Sequence, residues 1–414
     1  MTDKELKIKY NEICNSLAAR KLKPAFDLIE KWIQENNLGI YSDEYHNLEQ
    51  TYQYMLKYTI EGIQDPERQK VYRKLIVSVF GLADRVYEAL RMKYSTSVVY
   101  EKKRAFKNRY INDFEHYFSE LEEFYLNNEL KSLAGDKSAE NTATPEEARK
   151  HQQKIIDAFY HIWFQDELKA REIEFMKNFI SSELILTPYK SFLIGGLLMS
   201  LQRFYSEKKF SLLFDFYEND TAEVNQLALL GLLINFYRYD RRMPFYPDIT
   251  GRLKILNENP EFKKNLETII LQLIRSKETE KIQKKIRDEI IPEMIKISPN
   301  LKDKIDLESL MERGLEDDKN PEWEEIFKDS PGLMDKMEEF SEMQMEGADV
   351  FMGSFSMLKM FPFFNELSHW FMPFFSENPE IDLVVDDSDE TSRSFIKTIA
   401  HAPILCNSDK YSFC

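Results

Sequence analysis

Cysteine is scarce in this sequence: Cys14, Cys406 and Cys414 are the three among 414 residues, far from any disulfide-framework spacing. Reduced thiols in a cytoplasmic protein are the expectation that follows. Glycine (12) and proline (15) are also few for this length, while Lys, Glu, Leu, Ile and Phe are abundant. That balance favours helix, and no alternating β-branched run is long enough to build a sheet. No stretch of 18 uncharged apolar residues occurs, so no membrane span is expected. The first ten residues, MTDKELKIKY, are charged from the third onward, which does not suit a secretory signal.

The usual marks of chemistry are missing as well. The six histidines (His46, His116, His151, His161, His369, His401) include no HExxH pair, and no cysteines have CxxC spacing, so no metal site is expected. There is no GxxxxGK[ST] loop, and the glycines of Leu193–Leu198 sit inside a helical pattern rather than at a phosphate cradle. Gly353 is followed by a serine, but a nucleophile elbow needs a strand before it. No catalytic residue and no cofactor are therefore assigned.

What the sequence does hold is a repetition. Residues Phe175–Phe204 and Phe210–Tyr239 align at a shift of 35 residues, which places Gly196 on Gly231, Leu197 and Leu198 on Leu232 and Leu233, and Arg203 on Arg238. Phe175 and Phe179 fall likewise on Phe210 and Phe214. A fixed period between 20 and 50 residues is the signature of stacked helical or strand units. In the second copy, Phe210, Leu213, Phe214 and Tyr217 mark one helix face. Asp220 and Thr221 offer N-caps, and Val224 to Phe236 is apolar over most of a helix circumference, as suits a helix buried between neighbours. Gly costs about 1 kcal/mol against Ala inside a helix, so two at one repeat position point to close packing there.

These residues resemble a HEAT-like repeat. The second copy has the Asp220, Val224 and Ala228 of that pattern, with Asn225 where the family favours a basic residue; the first has Lys190 at that place, but Tyr189 for Val and Ile185 for Asp. The expected fold is all-α, an α-α superhelix (solenoid) of antiparallel hairpins of HEAT or tetratricopeptide type; the alternative is a helical bundle with two similar hairpins.

Charge divides the chain. Residues 301–414 hold 26 of the 72 Asp and Glu but only 10 of the 56 Lys and Arg, so residues 1–300 carry 46 of each and are neutral. The whole net charge of −16 belongs to the last quarter, which argues against nucleic acid there. The expected order is an N-terminal helical-hairpin region at 1–134, a flexible linker at 135–145, helical repeats at 146–300 and an acidic Met/Phe-rich helical region at 301–414. Gly135–Pro145 is small, polar and without apolar periodicity, hence the linker. Within the first region the pattern predicts a hairpin over 3–36, a tyrosine-striped third helix, a fourth running towards Leu90, and a fifth from about Ser97 to Leu133.

Two surfaces are candidates for binding. Arg238, Tyr239, Arg241, Arg242 and Tyr246 set arginines beside aromatic rings, a combination suited to carboxylate or phosphate. The plainer account is an inter-repeat loop whose arginines pair with acidic neighbours. Nine of the sixteen methionines follow residue 300, and Met343, Phe351, Phe355, Met360, Phe364 and Trp370 mark a Met/Phe surface of the kind that seats a partner helix. Packing of that segment within the chain is the other account.

Four segments, Leu17–Trp32, Asp65–Leu75, Lys277–Asn300 and Gln344–Glu366, make the chain similar to the N-terminal half of large bacterial cytoplasmic tetratricopeptide-repeat-like proteins. That resemblance implies a scaffold with a protein or peptide partner, no catalytic residues, and further repeats beyond Cys414. A helical-repeat nucleic-acid binder is the alternative, with Tyr100–Tyr110 and Ser276–Arg287 as its basic candidates; a helical enzyme without a recognisable motif is a second.

Overall fold

The computed structural model describes residues 1–62, 66–107, 109–133, 144–219, 221–285, 288–289, 359, 362–376, 378–381, 390–402 and 405–413. Among these the fold is all-α, with no strand. Among the described residues no helix is long and apolar enough to cross a membrane. The chain divides into two compact units, Met1–Ala143 with Lys150–Phe262, and Thr144–Arg149 with Lys263–Cys414.

The first unit begins with α1 (Asp3–Ala18) and α2 (Leu22–Glu35). Thr2 caps α1 through a reciprocal box with Glu5, which satisfies two of the amides that every helix start leaves open. Arg20 turns the chain at φ 60°, and Pro24 stands in the first turn of α2. Next come α3 (Ser42–Ile60), closed by Gly62 at φ 72°, and α4 (Arg68–Tyr94). Gly is the residue that takes this left-handed position after a helix without strain.

The single helix expected over 97–133 is two, α5 (Val98–Phe106) and α6 (Phe114–Leu133). The break is a packing device: the Ile111 amide donates to Nδ1 of His161 at 3.1 Å, and Phe106, Tyr110 and Phe114 lay their rings against Tyr160, His161 and Phe164. Those residues belong to α7 (Pro145–Phe164). Segments before and after 135–145 thus pack together inside the first unit, through Tyr117 on the Lys154 carbonyl (2.5 Å) and the Phe124 ring stacked on His151. The first unit ends at Phe262.

The repeated sequence forms two helical hairpins, α8 (Ala170–Ser181) with α9 (Thr187–Arg203), and α10 (Glu207–Asn219) with α11 (Ala222–Arg238). α9 packs on both α10 and α11. The aligned glycines mark the close approaches. A Cβ at Gly196 would lie 3.0 Å from the Phe159 ring and 3.1 Å from its carbonyl oxygen on α7. One at Gly231 would lie 3.3 Å from the Leu213 methyls and 3.5 Å from Leu198 on α9. At Gly196, α9 thus approaches α7, and at Gly231, α11 approaches α10 and, slightly farther off, α9. Buried Leu and Phe side chains fill these seams, each contributing roughly 1.5–3 kcal/mol. Past α11, a 3-10 turn (Asp240–Phe245) leads to α12 (Pro247–Leu256), a helix not anticipated from the sequence, although Pro247 and Asp248 are favourable first-turn residues.

The second unit includes most of α13 (Pro260–Arg275), α14 (Thr279–Lys285), α15 (Glu390–His401) and α16 (Asn407–Phe413). Phe364, Ile381, Ile396 and Tyr411 form an apolar cluster there, with Phe363 and Phe374 beside it.

Candidate functional site

The arginine-rich turn after α11 is drawn into the first unit. Arg242 is 3% exposed. Its Nη1 donates to Oδ2 of Asp84 on α4 at 2.6 Å, and its Nη2 donates to Oδ1 of the same carboxylate and to the Tyr10 hydroxyl (2.6 Å). The Tyr10 hydroxyl in turn donates to Asp84, and the guanidinium lies over the rings of Phe80, Tyr205 and Tyr239. The Tyr239 hydroxyl is spent on the Leu201 carbonyl at 2.6 Å, where it satisfies an acceptor near the end of α9. Arg241 stays exposed and donates to the Asn15 side chain; Arg238, also exposed, leans on the ring of Tyr239. Of the five residues the sequence singled out in this turn, two are thus internal fastenings, two are on the surface, and Tyr246 lines a cleft.

A second buried ionic group has Arg203 at its centre. Its Nη1 bonds Glu88 and Asp166 at 2.5 Å each, and its Nη2 donates to the Phe164 carbonyl at 2.9 Å. Lys103 joins the same two carboxylates at 2.7 and 2.9 Å, and Tyr100 donates to the other oxygen of Glu88. Burial acts to raise Glu88 and Asp166, but Arg203 and Lys103 outweigh it and hold both carboxyls below their ordinary range. Lys209 is fully buried, with its ammonium on the carbonyls of Gln165 (2.9 Å) and Asp166 (2.6 Å). Burial and Arg203 pull it down to about 7. Ser200 also donates to Gln165, so three side chains of the following hairpins finish the C-terminal end of α7.

Between these two ionic groups opens a cleft of about 370 Å³. Glu44, Asp84, Glu167 and Glu207 line it with Arg85, Lys208, Ser206 and the rings of Phe204, Tyr205 and Tyr246. Arg85 bonds Glu44, and Ser206 donates to Glu167 at 3.1 Å. Burial, followed by the charge of Asp248, raises Glu207. The sequence reading passed over every cleft residue except Tyr246, because they come from α3, α4, the α7–α8 and α9–α10 turns and the start of α10.

No cluster of His, Cys, Asp and Glu able to hold a metal ion occurs among the described residues. His161 accepts from Ile111 with Nδ1, and its Nε2 lies 3.7 Å from Oε1 of the fully buried Glu172. His151 is sandwiched by Phe124 and Tyr125. In the second unit, Phe364 belongs to the apolar cluster, while Trp370 is exposed and donates its indole N–H to the Phe364 carbonyl at 2.9 Å. Met343, Phe351, Phe355 and Met360 lie outside the described residues.

No protein-family model, curated protein or solved structure matches this chain.

Proposed function

We propose that this chain is a non-enzymatic interaction scaffold of the helical-repeat type, a HEAT- or tetratricopeptide-like stack of hairpins that holds a protein or peptide partner. The observation that carries this reading is how its polar and apolar groups are spent. The strongly interacting ionisable side chains (Asp84 with Arg242; Glu88, Lys103 and Asp166 with Arg203; Lys209) are consumed in fastening one helix to another. Large apolar side chains are meanwhile left in solvent: Tyr54, Leu56, Tyr58 and Ile60 on α3, and Ile270, Leu271, Leu273 and Ile274 on α13. Grouped exposed apolar side chains are a mark of surfaces that meet another molecule. The packing of α9 on α7 at Gly196 and of α11 on both α10 and α9 at Gly231 supports the repeat-type arrangement. A cytoplasmic location belongs to the same reading, with Cys14 and Cys406 as free thiols.

A photo-reactive residue placed at Tyr58 or Ile60 of the full chain in cells tests it. A reproducible adduct with one protein, diminished when the neighbouring apolar side chains are replaced by serine, is the expected result. Adducts no different from those at the exposed control position Glu223 count against it. Retention of the pure protein on DNA at low salt, fading as salt rises, would favour a nucleic-acid binder instead.

A further inference from the structure

We propose that the exposed apolar face of α13 is where a second copy of this chain docks, helix against antiparallel helix, about a twofold axis at Leu271. This goes beyond the partner reading, which keeps the apolar end of α3 for itself.

The first ground is where the apolar side chains stand. Ile270, Leu271, Leu273 and Ile274 are 38%, 55%, 39% and 55% exposed, although Phe262 on the same helix is 1% exposed. At about 3.6 residues per turn, Leu273 lies towards the side of Phe262. Ile270, Leu271 and Ile274 share a face with Glu267 that is turned away from it. One apolar side of α13 is therefore used within the chain, and a second is left in water. A helix apolar on two sides is one that is covered on both.

The second ground is the charge on that face. Glu267 precedes Leu271 by four residues, and Arg275 follows it by four. Neither has an ion pair or a side-chain hydrogen bond among the described residues. On one helix they are about 12 Å apart along the axis and cannot reach each other. A twofold axis through Leu271 reverses the helix and exchanges the two positions, so Glu267 of each copy meets Arg275 of the other. Leu271 then meets its own counterpart, with Ile270 and Ile274 of each copy closing around it. A parallel pairing would set Glu267 on Glu267 and Arg275 on Arg275. The face is thus self-complementary in one orientation and self-repelling in the other. An anionic lipid surface is a poorer occupant, since Glu267 lies among the apolar side chains. One helix pair buries less than a standard protein interface, so the association is weak and depends on concentration.

Sedimentation equilibrium of the full chain between about 1 and 200 μM covers the range in which so small an interface dissociates. A reversible monomer–dimer equilibrium is expected. Glu267→Arg alone and Arg275→Glu alone each turn two attractions into two repulsions, and each should weaken the dimer about tenfold. An equimolar mixture of these two variants should associate again, because one copy then offers cations at both places and the other carboxylates. The double variant should do so as well. Leu271→Asp sets two carboxylates against each other on the axis and should leave no dimer. Glu267 and Leu271 are exposed and Arg275 is half-buried, so a thermal midpoint equal to that of the dilute parent shows each variant folded. A chain that is monomeric throughout, a dimer indifferent to these substitutions, or a mixture that stays monomeric overturns the proposal. Flotation of a monomeric parent with vesicles of equal parts phosphatidylcholine and phosphatidylserine, abolished by Leu271→Asp, would give the face to lipid instead. The expected dimer without any foreign adduct from Tyr58 or Ile60 would sink the partner reading and leave this one standing; the reverse pair of results would do the opposite.

Discussion

Arg242 and Asp84 stand 158 residues apart in sequence and meet through both oxygens of one carboxylate, with Nη1 to Oδ2 at 2.6 Å. The pair ties the turn after α11 to the middle of α4, and Tyr10 of α1 closes the triangle. Both side chains are almost wholly buried, so each pays a desolvation cost that the other offsets, with help from the Tyr10 hydroxyl. Arg242→Met or Asp84→Leu alone leaves a buried charge without its counter-ion. Each is expected to cost about 3–5 kcal/mol of stability. The double variant should lose clearly less than the sum. Urea unfolding followed by helical circular dichroism checks this; single variants within about 1 kcal/mol of the parent would refute the assignment.

The aligned glycines are not equivalent in what they tolerate. Gly196→Ala drives a methyl to 3.1 Å of a backbone carbonyl in α7, which cannot yield without moving the helix, and a loss of about 1–3 kcal/mol follows. Gly231→Ala meets only the Leu213 and Leu198 methyls at 3.3–3.5 Å, which can rotate away, so helix propensity offsets most of the cost. Gly195, with nothing within 4 Å, should gain about 0.5–1 kcal/mol as Ala. Thermal midpoints in the order Gly195→Ala above the parent, then Gly231→Ala, then Gly196→Ala are the expected outcome; any reversal of the last two contradicts the packing.

Two histidines make acid stability a readable property of the first unit. Burial pulls His151 and His161 from 6.5 to about 4, against the opposing charge of Glu172 at His161. The unfolded chain therefore takes up these protons from pH 6.5 downward, while the folded chain holds its imidazoles neutral until about pH 4. Stability from both groups is complete above pH 6.5 and is lost as pH falls towards 4. Each tenfold difference in proton affinity is worth about 1.4 kcal/mol, so several kcal/mol are at stake. His151→Phe preserves the stack on Phe124, whose ring centroid lies 4.0 Å away. Its thermal midpoint should fall less steeply between pH 7 and 4.5 than that of the parent. Parallel slopes would show that His151 does not titrate in this window.

Helical periodicity is local, and so it was legible: the hairpins of 170–238, the turn at Arg20 and the buried faces of α10 and α11 can be read from three-and-four spacing. The ion pairs are not local. Glu88 and Arg203 lie 115 residues apart, and nothing near either names the other. Arg203 was visible only as the repeat-mate of Arg238, yet one is buried in a charge network and the other exposed. The break between α5 and α6 was hidden for a related reason, because it is set by the Ile111 amide reaching His161 and not by a Pro or Gly. Arg beside Tyr left a ligand or an acidic neighbour open at Arg242; the carboxylate it meets is the chain's own Asp84, and the Tyr239 hydroxyl goes to the Leu201 carbonyl. The cleft was illegible because its walls come from five separate stretches of chain.

The two ends of α3 should respond in opposite ways to substitution. Tyr45, near its start, is 1% exposed and packs edge-on against Phe26 at 5.7 Å, so Tyr45→Ala removes a core ring and should cost about 3 kcal/mol or more. Tyr58 and Ile60, near its end, are 51% and 86% exposed. Having little burial to lose, Tyr58→Ser and Ile60→Ser should each change stability by no more than about 0.5 kcal/mol. If these side chains serve a partner, the same two substitutions should reduce photo-cross-linking from neighbouring Leu56 while the urea midpoint stays put. A large drop in midpoint would mean instead that the end of α3 is packed against the chain, and the exposed apolar side chains would lose their standing as a docking surface.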